Sequence, residues 1–266
     1  MQRTLIGLVG EKYSGKDTAA IGLTGRHGFK KVAFAGGLKA MTAAYFRSKG
    51  NFQDTAVAML DALFEYQGVN AYSRKELLGP DGLNEQTTYL LGKTPKHALG
   101  SLVAWGNTHI GGDHWEGLSD GPSMQELTIT GCVEGSFKEH ELSVLNGKSP
   151  RHVMQTLGTE WGRQCMHEAF WVTIAMRLAQ AHPRCVVTDV RFDNEAELVR
   201  SVGGRVFQIV REGMPRTDAH ASEKGVDPDL IDARIYNNSS TEELQKRLVG
   251  LTNAFMLEQQ SQPQLI

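Results

Sequence analysis

The stretch Gly10-Glu11-Lys12-Tyr13-Ser14-Gly15-Lys16-Asp17-Thr18 constrains this chain more than any other. It follows the apolar run Leu5–Val9 and leads into Ala19-Ala20-Ile21, which can continue a helix. Strand, glycine-bounded loop, lysine and helix in that order form a phosphate-binding P-loop. Its glycines let successive backbone N–H groups turn inward on a polyphosphate, and the helix start adds partial positive charge. Lys16 adds a full charge. Asp17 stands where Ser or Thr is usual, with Thr18 one place later. With 29 glycines in 266 residues the spacing alone is weak, so the flanking strand and helix carry the assignment.

Composition sets the outer bounds. A length of 266 residues suits one large α/β domain or two small ones, and 40% apolar content supplies a sizeable core. No apolar run approaches the ~20 residues of a membrane span, and no signal peptide precedes the first strand. A net charge of −2 leaves no general electrostatic footprint for nucleic acid. Cys132, Cys165 and Cys185 are an odd set without CxxC spacing, which speaks against a disulfide frame or a cysteine zinc site. The expectation is a soluble protein of a reducing cytoplasm.

Along the chain, the P-loop helix is expected from Lys16 to about Gly25. Val32–Ala35 reads as a short parallel strand ending in a Gly36-Gly37 turn, with a helix from Leu38 to about Lys49. Lys39, near that helix start, suits a monophosphate or is a plain surface lysine. A helix is expected around Ala56–Tyr66, and Arg74 beyond it reads more readily as a surface charge than as a phosphate ligand. Thr94-Pro95-Lys96-His97 and Ser149-Pro150-Arg151-His152 echo each other as N-cap, first-turn proline and base. The second copy is the richer one, running on through Gln155 to Gly158-Thr159-Glu160.

Between the copies, about 103–147, the chain reads as an insertion with a hairpin strand at Glu126–Val133. His109, Asp113 and His114 lie there as loop residues without metal spacing. Ser149 to His182 is helical in two pieces around Gly158 and Gly162, and Phe170, Trp171, Ile174 and Leu178 share a packing face. Cys185–Asp189 is a buried strand ending in an acid. Asp189 then holds the Walker B position, where a carboxylate orders the magnesium shell. Arg191 follows, and Asn194 with Glu197 is the expected capping pair. Strands at Arg205–Val210 and Ala233–Tyr236 flank a loop with Arg211, Arg216, His220 and Glu223. A helix, Thr241–Leu248, comes next, and a loose tail begins after about Gln259.

A P-loop, a strand-end aspartate and several arginines suggest phosphoryl transfer. Two anionic phosphates must meet, and Mg2+, Lys16 and bidentate arginines such as Arg151 and Arg191 offset their repulsion. Water must be excluded, and the 149–163 stretch is the candidate mobile arginine-bearing segment.

Three blocks then make the comparison specific: Gly15-Lys16-Asp17-Thr18, Gln155-Thr156-Leu157-Gly158-Thr159-Glu160, and Thr188-Asp189-Val190-Arg191-Phe192-Asp193-Asn194-Glu195. Together they resemble the bacteriophage deoxynucleoside monophosphate kinases over about 1–50 and 145–250. The resemblance implies a P-loop NTPase fold of the nucleoside-monophosphate-kinase type, with about five parallel strands flanked by helices. It also implies one kinase domain over 1–266, transferring the γ-phosphoryl group of ATP to deoxynucleoside 5′-monophosphates. By motif position, Gly10, Tyr13, Ser14, Gly15, Lys16, Asp17 and Thr18 would bind ATP, with Asp17, Thr18 and Asp189 on Mg2+. Arg151, Gln155, Gly158, Thr159 and Trp171 would take the deoxynucleotide, joined by Lys12 and Lys39. Asp189, Arg191 and Glu195 would serve the reacting phosphates and metal.

His152, where the family can carry a second base, and the 103–147 insertion depart from the pattern. The implied partners are small-molecule nucleotides, not nucleic acid or membrane, in the cytoplasm (the host's, for a phage-encoded enzyme); a homodimer is left open. Two other readings stand beside this one: a P-loop kinase for another small phosphorylated acceptor, and an ATPase or regulator acting on nucleic acid. The second predicts a catalytic glutamate beside the strand acid, whereas Val190-Arg191 follow Asp189.

Overall fold

The computed structural model describes residues 3–48, 51–111, 150–213 and 225–261. Five strands form one parallel sheet: β1 (Thr4–Val9), β2 (Lys30–Val32), β3 (Arg184–Val190), β4 (Arg205–Val210) and β5 (Ala233–Tyr236), in the order β2-β3-β1-β4-β5. Every residue of β1 is buried, as expected for a central parallel strand covered on both faces. The expected α/β class with a five-stranded parallel sheet flanked by helices is what the chain adopts. No helix among the described residues is long and apolar enough to cross a membrane.

The helices are α1 (Lys16–Arg26), α2 (Gly36–Arg47), α3 (Phe52–Tyr66), α4 (Ala71–Leu78), α5 (Pro95–Gly106), α6 (Pro150–Thr156), α7 (Phe170–Gln180), α8 (Asp193–Ser201) and α9 (Thr241–Ser261). A π-helical stretch, Leu157–Met166, continues α6. The chain divides into two compact units: Met1–Phe34 with Met176–Ile266, and Ala35–Ala175. The first holds the sheet, α1 and α9 around a core of Ile6, Leu8, Leu23, Val186, Phe207 and Leu248. The second is helical, built around Tyr45, Leu60, Phe64, Trp161, Phe170 and Trp171.

Several boundaries differ from the sequence reading. β2 occupies Lys30–Val32 instead of Val32–Ala35, because the Phe34 N–H donates to the Asp189 carboxylate (2.7 Å) and leaves the ladder. Gly36 and Gly37 open α2 rather than form a turn. The helical stretch after Pro150 breaks at residues 167–169, and Gly158 and Gly162 both lie inside the π-helical turns. α9 runs thirteen residues beyond Leu248, to Ser261: Thr252 and Phe255 extend its buried face, and Gln259 is tied to Thr4 and the Arg3 carbonyl. The Thr94 cap of α5 is present, its hydroxyl accepting from the His97 N–H at 3.0 Å. Ser149, Asp113, His114, Glu126–Val133, Arg216, His220 and Glu223 lie outside the described residues, as does most of the expected insertion. His109 falls in a π-helical turn, Asn107–Gly111. Among the described residues Cys165 and Cys185 are free thiols; burial pushes the Cys185 thiol up to about 11, which leaves it protonated and inert.

Candidate active site

In the sheet-bearing unit, β1 ends at Val9, whose partner on β3 is Val190. The P-loop therefore starts on the same strand edge as Asp189, where parallel sheets bind ligands. Gly15 caps α1 with φ +98, a left-handed conformation that disfavours a side chain, and no side chain caps the helix start. Helix-start N–H groups without intrahelical partners are the anion-binding part of such a loop. Tyr13 also has positive φ (65°) and is exposed; a bulky residue held there is the kind of backbone strain that collects at ligand sites. The Lys12 ammonium lies 5.1 Å from the centre of the Tyr13 ring.

Lys16 folds back onto the loop, its Nζ donating to the Gly10 carbonyl and, at 2.8 Å, to the Glu11 carbonyl. Among the described residues the buried Ser14 hydroxyl has no hydrogen-bond partner. A buried orphan hydroxyl in a loop of this shape is a site where a ligand oxygen would be satisfied. Asp17 pairs with Lys31 at 2.7 Å on the surface, its side chain 65% exposed, so the pair itself contributes little stability. Asp17, Thr18 and Asp189 offer hard oxygen donors, which fit Mg2+ by chemistry. No cluster of three or more His, Cys, Asp or Glu that could hold a metal is present among the described residues.

Glu195 is 4% exposed, and its Oε2 accepts the backbone N–H groups of Arg191 (2.8 Å) and Phe192 (3.3 Å). It occupies the third position of α8 and does the capping expected of Asn194 with Glu197. Its carboxylate thereby fixes the backbone from which the exposed Arg191 side chain springs.

In the helical unit, Arg151, Gln155 and Thr159 are all exposed at four-residue steps, while Val153, Thr156, Leu157 and Gly158 between them are buried. One solvent-facing stripe thus carries three of the expected deoxynucleotide residues. Gly158 packs on Leu38, the neighbour of half-buried Lys39. Trp171 faces inward instead: it is buried, and its indole N–H donates to the Gly158 carbonyl at 2.9 Å. Arg74 is committed to Asp61 (2.7 Å) and the Val69 carbonyl (2.9 Å), tying α4 to α3. His152 points a ring nitrogen at the His109 carbonyl, 3.4 Å away.

The sequence reading passed over Asn237 and named Arg211 only as a loop residue, yet both touch the P-loop. Asn237 Nδ2 donates to the Ser14 carbonyl at 2.9 Å, and an Arg211 terminal N–H reaches the Tyr13 carbonyl at 3.5 Å. Both directly follow strands, β5 and β4, at their carboxyl ends; that position was the signal available.

A family profile of deoxynucleotide monophosphate kinases matches residues 4–248. The chain belongs to the deoxynucleotide monophosphate kinase family. It is an enzyme, a kinase that acts on deoxynucleoside monophosphates. It is similar to the deoxynucleotide monophosphate kinase of Enterobacteria phage T4, at 26% identity over 255 residues covering 90% of this chain and 95% of the phage protein. It is also 50% identical to the deoxynucleoside-5′-monophosphate kinase of Escherichia phage T5 over 99 residues, 34% of this chain and 39% of that one. The Escherichia phage RB69 deoxynucleotide monophosphate kinase is 33% identical over 105 residues, 38% of this chain and 43% of its own length. The resemblance drawn from the three sequence blocks is thus the family of the chain.

Proposed function

We propose that this kinase uses ATP with Mg2+ as donor and gives deoxynucleoside diphosphates and ADP. The observation that supports it most is the β1–β3 register, Val9 against Val190, which sets the Asp189 carboxylate on the strand edge from which the P-loop rises. Residues 1–266 serve as one kinase domain. The enzyme works on free nucleotides in the cytoplasm and needs neither nucleic acid nor a membrane.

An oxygen of the acceptor 5′-phosphate attacks the γ-phosphorus, and the bond to the β–γ bridging oxygen breaks, releasing ADP. The attacking phosphate is already ionised near neutral pH, its second pKa being about 6, so no general base is required. Catalysis is then positioning and charge compensation. In this reading Gly10, Tyr13, Ser14, Gly15, Lys16, Asp17 and Thr18 hold the donor phosphates, with Lys16 leaving the Gly10 and Glu11 carbonyls for them. Asp17, Thr18 and Asp189 would hold Mg2+, which would offset the negative charge of the phosphates. Arg191, steadied by Glu195, faces the transferred group; Lys12, Lys39, Arg151, Gln155 and Thr159 take the acceptor. Gly158 and Trp171 shape the floor behind that stripe.

A coupled ADP-release assay with each deoxy- and ribonucleoside monophosphate tests the reading. Acceptor-dependent ADP formation with at least one deoxynucleotide, abolished by chelating Mg2+, is expected; ADP release that ignores every deoxynucleotide and rises with DNA would overturn it. In that assay Arg151→Ala is expected to lower turnover by about a hundredfold while the protein stays folded, because the Arg151 side chain is exposed. Turnover like the wild type would remove Arg151 from the site. Asp17→Asn is expected to cost about 10–100-fold in turnover, the scale for residues that organise a metal shell, with ATP affinity changed much less. An equal loss in both would make Asp17 a donor-binding residue alone.

A further inference from the structure

We infer that Asn237 is a positioning residue for the donor triphosphate: its side-chain amide grips the Ser14 carbonyl and so sets where the Gly15 N–H points. Asn237 follows β5, and its own N–H donates to the Val210 carbonyl at 2.7 Å, which fixes its backbone against the end of β4. From there Nδ2 donates to the Ser14 carbonyl at 2.9 Å. The side-chain orientation is chemically determined, since a carbonyl accepts only from the NH2 end of an amide. In a planar trans peptide the C=O and the following N–H point in opposite directions. Holding the Ser14 oxygen on one side therefore turns the Gly15 N–H to the other, the inward side of a phosphate cradle.

Two neighbouring contacts follow the same pattern. Arg211 reaches the Tyr13 carbonyl at 3.5 Å, and Gln245 Nε2 donates to the Thr18 carbonyl at 3.1 Å. The close fit extends to Gly15, where a β-carbon would lie 2.6 Å from Asn237 Nδ2. An uncharged donor suits the position, because it orients the peptide without adding a cation to compete for phosphate.

The inference rests on the loop taking a triphosphate, so its test has an arm independent of the nucleotide. Calorimetric binding of inorganic tripolyphosphate and of ATP is measured on the full chain, wild type, Asn237→Ala and Asn237→Asp, beside KM for both substrates and Tm. Asn237→Ala is expected to weaken tripolyphosphate and ATP by about tenfold, the scale of one hydrogen bond to a charged-ligand loop. Asn237→Asp, the same shape with acceptors facing a carbonyl, should weaken them further. KM for the deoxynucleotide should stay within about twofold and Tm within a few degrees, since a half-exposed amide contributes little to the fold. Wild-type tripolyphosphate binding in both variants would overturn the inference, as would parallel losses for both substrates with a large fall in Tm. Failure of the wild type to use ATP would sink the donor assignment instead, and the tripolyphosphate arm would still decide on Asn237.

Discussion

Lys16→Ala is expected to lower kcat by about 10²–10³ in the coupled assay, the loss typical of removing one preorganised group from developing transition-state charge. The side chain has two tasks. Without nucleotide it spans the loop, donating to the Gly10 and Glu11 carbonyls and keeping the turn closed. On the proposed reading, with nucleotide bound it would supply the full positive charge at a helix start that offers only a partial one. Alanine removes both. Lys16→Arg keeps the charge but presents a planar fork where a compact ammonium sits between two carbonyls, so it should recover only a small part of the loss. Because Lys16 is half exposed, Tm should hardly move. Turnover of Lys16→Ala within tenfold of the wild type would take the lysine out of the transition state.

Trp161→Ala is expected to destabilise the helical unit by about 3–5 kcal/mol, the range for deleting a large aromatic from a core. Trp161 is fully buried, meets Phe170 edge-on at 5.4 Å between ring centres and lies 6.0 Å from Trp171. Its indole N–H donates to the Ser101 hydroxyl at 3.0 Å, so truncation leaves a cavity and loses a bond to α5. At about 2–4 °C per kcal/mol for a chain near this size, the unfolding midpoint should fall by roughly 10 °C. The π-helical stretch that carries Trp161 also carries Thr159. The KM for the deoxynucleotide should therefore rise more than that for ATP. An unchanged midpoint would mean the core closes over the gap without cost.

The central strands β1 and β3 were legible because a strand buried on both faces is a largely apolar run, and both fall within two residues of the sequence reading. The P-loop was legible because its chemistry is written in consecutive residues. What escaped depends on side chains meeting across the fold. β2 shortens because a carboxylate more than a hundred residues away takes the Phe34 N–H, and no local pattern reports that. Glu195 was read as a group for the reacting phosphates and metal, and the structure adds a second role, its carboxylate accepting from the backbone of Arg191 and Phe192; a first-turn glutamate has the same sequence signature in both roles. Asn237 could not be singled out, because its reach to Ser14 follows from β5 lying in register with β4. α9 was cut short at Leu248, since Gly250 interrupts the helical pattern, and the buried Thr252 and Phe255 with the Gln259 contacts carry it on.

The packing of Trp171 bears on how this enzyme can diverge. A β-carbon at Gly162 would come within 2.3 Å of the Trp171 Nε1 and 2.5 Å of its Cε2, and one at Gly37 would meet the ring's Cζ3 at 3.6 Å. An alanine at 162 is accessible only after the ring has been replaced by something smaller, and a smaller ring leaves a gap beside Gly162 until that position is filled. Each single step is worse than either end state, so the two positions are coupled. A tryptophan retained at 171 in a distant descendant would therefore testify to this interlock of ring and glycine, with or without a nucleotide resting against it.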